Sequence, residues 1–414
     1  MSSYLLSKPE KSLKGNINLT PSKSESNRAL IIQALINQDI RIKNLADAED
    51  TVILSKALSS KESIIDIGHA GTAMRFLTAY LALKTDKEII LTGSNRMKQR
   101  PIGILVDALI SIGADIEYIE EEGFAPLKIK KSKLKGGKIT IDGSISSQFI
   151  SALLLIGPSL ENGIEINFKG ELISKPYLTM TTKMMSYFGA EVKWQSHGIK
   201  VYPKNYLARE IKIESDWSAV SYWYEMAAFS DEAELSISGL KEESLQGDAI
   251  VRKIFKEIGV ESDFVGEKLQ ITKSKNSSFK RTFYEYDFLD CPDLAQTVIA
   301  TLAGLKIQGK FRGLSSLRIK ETDRIEGLVN ELKKFGIDLT VMHKDEIHLV
   351  DFGNPTSIPN INTYQDHRMA MSFAPMAFKF KEIIIQDPTV VKKSYPNFWN
   401  DLKSVGFKVT EITS

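Results

Sequence analysis

Cysteine and histidine are scarce in this sequence. Its 414 residues include one cysteine, Cys291, and five histidines. A single cysteine excludes an internal disulfide and a cysteine-rich metal site, and the scattered histidines lack a metal-ligand spacing such as H-x-x-x-H. Nothing near Cys291 marks it as activated, so we expect a small buried residue rather than a nucleophile. This cysteine usage is compatible with a reducing compartment.

Long apolar runs, a strong net charge and linker-like segments are also missing. No stretch approaches the roughly 18 apolar residues of a membrane span, and the charges spread through residues 8–14 exclude a signal peptide. The formal net charge of +2 is too small for a nucleic-acid surface, so any anion binding must be local. These absences predict a cytoplasmic protein with no nucleic-acid or membrane partner.

A repeated unit is present instead. It consists of an amphipathic helix, a large apolar residue with Gly, and a short strand, and the glycine supplies a left-handed cap that ends the helix. The spacing of the copies, about 70 residues, predicts six units in 414 residues. The sixth, without the glycine, is assigned to a helix over residues 51–58 and a strand over residues 63–67. The five complete copies carry Gly113, Gly189, Gly259, Gly336 and Gly406.

Further helix-like stretches lie between these copies. Each unit then has two helices and several strands, which predicts the α/β class with helices packed against sheets. The length indicates two domains, and three units in each is the simplest partition. The aromatic side chains of Trp217, Tyr222, Trp223 and Tyr224 are expected to pack in the core or between the domains. These further helices are predicted over residues 26–36, 73–83, 147–155, 219–229, 294–305 and 369–378.

The starts of these further helices carry hydroxyl, glycine or charged residues. A plain N-cap explains any one of them. As a set they favour binding of phosphate or carboxylate through free N–H groups, since cations lie beside them. The cations are Lys23, Arg28, Arg100, Lys320, Arg324, Arg368 and Lys393.

One charged segment precedes a helix that should begin near Ile325. Lys320 and Arg324 bracket the carboxylate of Glu321, where backbone N–H groups are expected to be unpaired. Such a segment can hold an anion and move a proton beside it. The alternative is a solvated helix start with local ion pairs.

Eight short motifs, spread from residue 21 to residue 396, carry a resemblance that spans nearly the whole chain. Together they resemble the 5-enolpyruvylshikimate-3-phosphate synthase family. Each motif is modest alone, and eight in order are highly specific. The motifs are Pro21-Ser22-Lys23-Ser24 with Ser26-Asn27-Arg28-Ala29, Ala70-Gly71-Thr72-Ala73-Met74-Arg75, Arg96-Met97-Lys98-Gln99-Arg100-Pro101-Ile102, Ser146-Ser147-Gln148-Phe149, Ser174-Lys175-Pro176-Tyr177, Lys320-Glu321-Thr322-Asp323-Arg324, Asp366-His367-Arg368-Met369-Ala370-Met371 and Lys393-Ser394-Tyr395-Pro396.

The resemblance implies a two-domain α/β fold of six βαβαββ units, three in each domain, with substrates in the interdomain cleft. The first domain would be discontinuous, residues 1–21 plus 215–414, and the second would span residues 22–214. The resemblance also implies a monomer without metal or organic cofactor.

The reaction implied is transfer of the enolpyruvyl group of phosphoenolpyruvate to the 5-hydroxyl of shikimate 3-phosphate, with release of phosphate. Asp293 would accept the hydroxyl proton, and Glu321 would deliver and recover the methylene proton through a non-covalent tetrahedral intermediate. Lys23 or His367 would assist proton transfer, although His367 could equally orient its neighbours. Glu321 would act as an acid only where it is desolvated.

The same resemblance assigns binding residues for both substrates. Bidentate guanidinium groups suit carboxylate and phosphate, and Gly71 is a place where backbone can approach a ligand closely. For shikimate 3-phosphate the residues are Lys23, Ser24, Arg28, Ser146, Ser147, Gln148, Ser174, Asp293, Ser316 and Lys320. For phosphoenolpyruvate they are Lys23, Gly71, Arg100, Gln148, Arg324, Arg368 and Lys393.

Some positions depart from the family pattern, and two rival functions remain. His69, Phe76 and Ser316 replace the usual Asn, Pro and Asn, and Thr20-Pro21 replaces Pro-Gly. One rival is the related transferase that acts on UDP-N-acetylglucosamine, which usually has a cysteine in the loop over residues 96–101; this loop has none. The other rival is a non-catalytic scaffold that binds phosphorylated metabolites, and the pairing of Asp293 with Glu321 favours an enzyme over it.

Overall fold

The computed structural model describes residues 2–36, 38, 40–144, 146–274 and 281–413, and the chain divides into two compact units. Unit 1 comprises Met1–Pro21 and Glu214–Ser414, and unit 2 comprises Ser22–Ile213. Unit 2 is therefore one continuous stretch of chain, whereas unit 1 is made from two segments on either side of it.

The described residues form thirteen α-helices. Short 3₁₀ turns precede or extend several of them. The helices are α1 Lys23–Ile36, α2 Glu49–Ser59, α3 Gly71–Lys84, α4 Asn95–Lys98, α5 Gly103–Ser111, α6 Ser147–Ile156, α7 Lys175–Tyr187, α8 Trp217–Phe229, α9 Val251–Lys256, α10 Ala295–Gly304, α11 Arg324–Lys333, α12 His367–Phe373 and α13 Phe398–Ser404. None of the described helices has the length and apolarity needed to cross a bilayer.

Twenty-two strands are formed by the same described residues. They are β1 Ser2–Ser7, β2 Ser12–Asn18, β3 Ile42–Lys43, β4 Ile64–Asp66, β5 Ile89–Thr92, β6 Asp115–Tyr118, β7 Leu127–Lys130, β8 Gly137–Asp142, β9 Ile164–Lys169, β10 Val192–Gln195, β11 Gly198–Val201, β12 Ile211–Lys212, β13 Glu232–Ser238, β14 Glu261–Val265, β15 Lys268–Lys273, β16 Phe283–Asp287, β17 Gln308–Arg312, β18 Ile337–His343, β19 Glu346–Phe352, β20 Asn360–Ile361, β21 Ile383–Gln386 and β22 Lys408–Thr413.

Unit 1 contains three four-stranded sheets among its described residues, in the orders β2-β13-β15-β14, β16-β17-β19-β18 and β20-β21-β1-β22. In each sheet the first pair is parallel and the remaining pairs are antiparallel. A parallel pair needs a crossover, and a helix supplies it. One strand of the third sheet, β1, comes from the other end of the chain, and its Ser2 pairs with Thr413 of β22.

Unit 2 repeats this pattern twice, in the sheets β4-β5-β7-β6 and β8-β9-β11-β10. Its third described sheet has only two strands, β3 and β12, which pair in parallel through Ile42 and Ile211. The predicted α/β fold built from βαβαββ repeats is confirmed. In one of the six repeats the sheet has only two described strands, β3 and β12.

The strand predicted over residues 63–67 was assigned to the wrong unit. It is present as β4, but it pairs in parallel with β5 and so begins the next sheet rather than completing the unit of α2. The partner of β3 is β12, far away in the sequence. A periodic pattern carries no signal for a partner at that distance, so the assignment followed the neighbouring strand.

The glycine caps predicted from the repeat are confirmed. All five glycines have positive φ, from 72° at Gly336 to 111° at Gly113. At Gly336 a Cβ atom would also lie 2.8 Å from the backbone nitrogen of Asn354. The loop that follows β19 therefore leaves no room for a side chain at this glycine. Each helix of the repeat therefore ends where the sequence predicts.

The two helices of a βαβαββ repeat differ in burial. Every residue of α10 and of α12 is buried, as is nearly all of α8, including Trp217, Tyr222 and Trp223. By contrast α11 buries one face, with Ile325, Leu328 and Leu332 inside. A helix that is buried all round belongs to the centre of a fold. The centre of unit 1 is thus formed by α8, α10 and α12.

Candidate active site

The segment around Glu321 leads into α11 through a capped turn. Residues Ser315–Ile319 form a 3₁₀ turn, and α11 begins at Arg324, one residue before the predicted start. The carboxylate of Asp323 accepts hydrogen bonds from the N–H groups of Ile325 and Glu326, at 3.0 and 3.1 Å. Aspartate is a strong N-cap because it satisfies these otherwise unpaired donors. The expectation of unpaired N–H groups here is wrong for these two residues.

Other helix starts in the predicted set are capped in the same way. Asp216 accepts from the N–H groups of Ser218 and Ala219, Asp366 accepts from that of Arg368, and Ser146 accepts from that of Gln148. At these starts the plain N-cap interpretation holds. Side chains rather than free backbone donors must then supply most of the anion binding.

Arg324 lies at the centre of a buried ionic group in unit 1. Its side chain is 2% exposed. Its guanidinium contacts three carboxylates: Nε lies 2.7 Å from Asp366 Oδ2, Nη1 lies 3.1 Å from Asp293 Oδ1, and Nη2 lies 3.0 Å from Glu321 Oε2. Burial alone lowers the pKa of Arg324, but the three carboxylates outweigh it and hold the pKa above its usual value. This guanidinium is permanently charged.

Three further cations complete what we call the carboxylate cluster. Arg368 Nη2 lies 2.8 Å from Asp293 Oδ2, Lys393 Nζ lies 3.0 Å from Glu321 Oε1, and Lys320 Nζ lies 3.9 Å from Asp293 Oδ1. Four cations therefore surround three carboxylates and leave one excess positive charge. The cluster comprises Asp293, Lys320, Glu321, Arg324, Asp366, Arg368 and Lys393.

Asp293 and Glu321 are the members of the cluster suited to proton transfer. Their side chains are 19% and 13% exposed, so both reach solvent or a ligand. Burial raises the pKa of Asp293, but the opposing charges of Arg368, Lys320 and Arg324 are larger together and lower it well below its usual range. Asp293 is thus ionised, and it is a weak base while both guanidinium groups remain on it.

Two acidic residues, Asp366 within this cluster and Asp248 beside it, were not among the predicted site residues. Asp366 makes the bidentate contact with Arg324, through its Oδ2 at 2.7 Å and its Oδ1 at 3.4 Å. Asp248 is buried and accepts a hydrogen bond from the hydroxyl of Ser218. Burial and the charge of Asp293 raise the pKa of Asp248 to about 7, against the effects of Ser218 and Arg368. Asp366 stands in a quoted motif and could have been found, whereas Asp248 lies in a 3₁₀ turn with no local signal.

His367 and Ser316 lie at the edge of this group. His367 is 2% exposed, and its Nδ1 lies 3.7 Å from Asp366 Oδ1, behind the carboxylate that Arg324 holds. Ser316 is half-buried in the 3₁₀ turn before Lys320, outside the ion pairs that the described residues form. The separation between His367 and Asp366 is longer than a hydrogen bond, so both roles of His367 stay predictions.

In unit 2 Lys23 and Arg28 occupy the first two turns of α1. Lys23 Nζ lies 3.1 Å from Asp50 Oδ2, and the side chain of Asp50 is only 4% exposed. Asp50, at the start of α2, was also missed, since nothing in the sequence joins the two helix starts. The partner holds the ammonium of Lys23 in one place beside the N-terminus of α1.

Arg28 is a buried cation whose hydrogen bonds go to neutral oxygens. Its Nη1 donates to the carbonyl oxygen of Ser24 at 2.8 Å, its Nε donates to Thr181 Oγ1 at 2.7 Å, and its Nη2 lies 3.4 Å from Ser151 Oγ and from the carbonyl oxygen of Tyr177. Burial lowers the pKa of Arg28 to about 10, although Tyr177 and Glu25 act in the opposite direction. The guanidinium remains charged at neutral pH and joins α1 to α6 and α7.

Gly71 and Arg100 lie against each other. A Cβ atom on Gly71 would be 2.6 Å from Arg100 Nη1, so the glycine makes room for the guanidinium. The expected reason for Gly71 was close approach of a ligand to the backbone; in this structure an arginine side chain takes that space. Arg100, 7% exposed, is thereby placed at the N-terminus of α3.

The remaining predicted residues of unit 2 lie at the starts of α6 and α7. Gln148 Nε2 donates to Thr72 Oγ1 at 3.2 Å and so joins the start of α6 to that of α3. Ser146 caps α6, Ser147 is its first residue, and Ser174 precedes α7 with φ of 54°. The contacts of Arg28 connect α1 to α6 and α7, and that of Gln148 connects α6 to α3.

Cys291 is neither exposed nor part of a group of metal-ligating side chains among the described residues. Cys291 is buried, and burial raises the pKa of its thiol above the usual value, which fits the expected inert residue. Within the described ranges, no three His, Cys, Asp or Glu side chains converge as a metal site requires.

Comparison with known proteins identifies the family. A family model described as EPSP synthase (3-phosphoshikimate 1-carboxyvinyltransferase) matches residues 7–60 and 52–402. The chain is 46% identical to the 3-phosphoshikimate 1-carboxyvinyltransferase of Bacteroides fragilis strain YCH46, over 98% of both chains. The chain belongs to the EPSP synthase family. It is also 37% identical to the protein of that name from Haemophilus influenzae strain KW20, covering 97% of this chain and 98% of the relative.

A solved structure shares the fold. The EPSP synthase from Acinetobacter baumannii superposes with a TM-score of 0.77 over the full length of both chains, at 21% sequence identity. At that identity the likeness shows the fold alone. Membership of the family rests on the family model and the two relatives, and it agrees with the resemblance that the eight motifs carry.

Proposed function

We propose that this protein transfers the enolpyruvyl group of phosphoenolpyruvate to the 5-hydroxyl of shikimate 3-phosphate and releases phosphate. The names of its relatives support this reaction. The structural observation that carries the proposal is that one guanidinium, that of Arg324, contacts both Asp293 and Glu321. Besides this shared arginine, Asp293 contacts Arg368 and Glu321 contacts Lys393, so the two carboxylates can manage two different protons in one reaction.

The first half of the reaction is an addition. Asp293 accepts the proton of the 5-hydroxyl while that oxygen attacks C2 of phosphoenolpyruvate. Glu321, which can be protonated once phosphoenolpyruvate has drawn Arg324 and Lys393 away from it, gives its proton to the methylene carbon C3. The product is a tetrahedral intermediate that is not bonded to the protein. In the elimination that follows, the C2–O bond to phosphate breaks, Glu321 recovers a proton from C3, and the leaving phosphate takes up the proton that Asp293 accepted.

Ligand binding to the arginines would prepare Asp293 for this role. Arg324 and Arg368 both contact Asp293, and they are also the residues proposed to bind phosphoenolpyruvate. A dianionic ligand competes for the same guanidinium donors. Each donor that turns to the ligand removes a cause of the low pKa of Asp293, so the carboxylate becomes a stronger base when the substrate is bound.

The other cations have roles in binding. We propose that Lys393 contacts phosphoenolpyruvate, and that Lys320 contacts shikimate 3-phosphate. From unit 2, Lys23, Arg100, Gln148 and Gly71 are proposed for phosphoenolpyruvate. Lys23, Ser24, Arg28, Ser146, Ser147, Gln148 and Ser174 are proposed for shikimate 3-phosphate.

The wider assignments are proposals of the same kind. We propose that units 1 and 2 act as the two domains of the enzyme, that it works as a monomer in the cytoplasm, and that it needs neither a metal nor an organic cofactor. His367 is proposed as a residue that orients Asp366, with Lys23 as the alternative assistant in proton transfer.

The first experiment measures phosphate release from phosphoenolpyruvate, with shikimate 3-phosphate and separately with UDP-N-acetylglucosamine. We expect release only with shikimate 3-phosphate, and a loss of turnover of roughly a thousandfold in Glu321→Gln, because the amide cannot donate the methylene proton. Binding of shikimate 3-phosphate should survive in that variant.

The other outcomes distinguish the rival functions. Release only with the nucleotide sugar would make the protein a cell-wall transferase. Binding of both substrates without release, in the wild type as in the variant, would support the metabolite-binding scaffold.

A further inference from the structure

Three hydroxyl side chains meet at the centre of unit 1, one from each of its fully packed helices. Ser221 of α8 lies 3.2 Å from Thr297 of α10, measured between hydroxyl oxygens, and Thr297 lies 3.3 Å from Ser372 of α12. All three residues are at most 1% exposed. We call Ser221, Thr297 and Ser372 the hydroxyl seam, and Thr297 is the member that contacts both others.

Each member of the seam lies one turn below the site already described. Thr297 follows Asp293 by four residues, and Ser372 follows Arg368 by four. Ser221 donates a hydrogen bond to the carbonyl oxygen of Ser218 at 2.6 Å, and the hydroxyl of Ser218 bonds to Asp248. The seam therefore connects the helix turns that carry the groups around Asp293.

The hydroxyls of the seam have a directional role that apolar packing does not supply. A buried threonine can satisfy itself on its own helix, as Thr301 does by donating to the carbonyl oxygen of Thr297 at 2.7 Å. Thr297 and Ser372 instead contact a neighbouring helix. Apolar side chains allow small shifts of one helix along another, whereas a hydrogen bond weakens steeply with distance and angle. At 3.2 and 3.3 Å the contacts of the seam are longer than most O–H···O hydrogen bonds, so each is a weak directional link that favours one relative height of α8, α10 and α12.

That height matters at the carboxylate cluster. The contact between Asp293 and Arg368, 2.8 Å long, joins the start of α10 to the start of α12. A displacement of about 1 Å can reduce a rate by about a hundredfold when it moves a reacting group. A hydrogen bond one turn below both residues is placed to prevent such a displacement.

We propose that Thr297 is a positioning residue that sets the distance between the base Asp293 and the cation Arg368, through its contacts with Ser221 and Ser372. This inference rests on the proposed function. Thr297 touches neither substrate nor reacting atoms, and it acts through the two helix starts that it joins.

The test compares two isosteric substitutions on the same helix. Thr297→Val removes the contacts between helices, and Thr301→Val removes a hydroxyl that bonds within α10 only. Both variants bury a methyl group in place of a hydroxyl, so both should change the melting temperature similarly. We expect Thr297→Val to lower kcat about tenfold and to raise the KM for phosphoenolpyruvate several-fold, whereas Thr301→Val keeps both values near those of the wild type.

Two more variants sharpen the result. Thr297→Ser retains the hydroxyl and should restore kcat to within about twofold of the wild type. Ser372→Ala breaks only the contact to α12, so it should raise the KM for phosphoenolpyruvate, through Arg368, more than it lowers kcat. Equal losses in Thr297→Val and Thr301→Val, or no loss in either, would overturn the proposal.

The outcome can be separated from that of the proposed function. If the wild type releases no phosphate, the proposed function fails, and calorimetric binding of phosphoenolpyruvate to the same four variants then tests the seam. Weaker binding in Thr297→Val than in Thr301→Val supports the positioning of Arg368, and equal binding contradicts it.

Discussion

Arg324 of unit 1 and Arg28 of unit 2 are buried guanidinium groups that are held in opposite ways. In unit 1 every guanidinium and ammonium of the carboxylate cluster contacts a carboxylate, and Arg324 contacts three. In unit 2 the buried Arg28 bonds to hydroxyl and carbonyl oxygens instead. A cation with acidic partners tunes their proton affinity, while a cation with neutral partners keeps its charge for an anion that arrives. Under the proposed function, this difference would associate Arg324 with proton transfer and Arg28 with the binding of shikimate 3-phosphate.

The largest effect should come from Arg324→Lys. An ammonium keeps the charge but cannot reach the carboxylates of Asp293, Glu321 and Asp366 together, so the variant leaves buried charge poorly paired. We expect a loss of about 3 kcal/mol in the free energy of unfolding and at least a hundredfold loss of kcat/KM. Urea unfolding followed by circular dichroism, together with the phosphate-release assay, measures both.

The exposed Arg41 provides the matched control, since its side chain is 76% exposed. Arg41→Lys should change the free energy of unfolding by less than about 0.5 kcal/mol. A similar loss in Arg41→Lys and Arg324→Lys would mean that the acidic contacts of Arg324 carry no special weight.

Asp248→Asn should alter how stability depends on pH. An aspartate in the unfolded chain has a pKa near about 3.9, whereas burial and Asp293 raise the pKa of folded Asp248 to about 7. Between these values the folded protein binds the extra proton, so this residue's contribution to stability is present at pH 4 and is lost as pH rises to 7. As pH rises through this range, the wild type should lose stability relative to Asp248→Asn. The difference between their free energies of unfolding should change by up to about 1.4 kcal/mol for each pH unit.

Urea unfolding at pH 5, 6 and 7 checks this prediction. Asp86→Asn removes an exposed carboxylate and serves as the control. Parallel stability curves for Asp248→Asn and the wild type would show that Asp248 does not titrate in this window, and the carboxylate cluster would then be independent of it.

Arg28→Lys should have a smaller effect on stability than Arg324→Lys. The hydrogen bonds that the variant loses are made to neutral groups, so we expect the free energy of unfolding to fall by about 1 kcal/mol. The functional effect should fall on binding, with a rise of about tenfold in the KM for shikimate 3-phosphate and little change in kcat. If Arg28→Lys cost as much stability as Arg324→Lys, or lowered kcat instead of raising KM, the contrast between the units would not hold.

Much of the fold could be predicted because its signals are local. The apolar face of α5, formed by Ile102, Leu105, Val106 and Leu109, is fully buried, and the glycine after it adopts the left-handed cap. The pairing of β3 with β12 and the misassigned β4 depend on partners far apart in the chain. A repeat period identifies the units but not which strands pair, since pairing is decided by the packed sheet.

The site divides along the same line. Asp293, Glu321 and Arg324 stand in or near recognisable motifs, and the structure brings them within contact of one another. Asp50 and Asp248 carry no motif, and each reaches the site from a separate stretch of chain. The helix starts were expected to offer free N–H groups, but a side chain that caps its own helix cannot be distinguished by spacing from one that faces a ligand.

The strand β1 gives this protein an unusual order of assembly during synthesis. It is synthesised before every other described strand, whereas its partners β21 and β22 are the last two described strands to be made, with Ser3 paired with Gln386 on one side and with Ile412 on the other. Contacts this distant in sequence form slowly, and an unpaired strand is prone to aggregate meanwhile. Unit 2 is complete in one continuous stretch and can fold on emergence, whereas unit 1 must wait for the final residues. Of the described strands, β1 is therefore the one that waits longest for its partners.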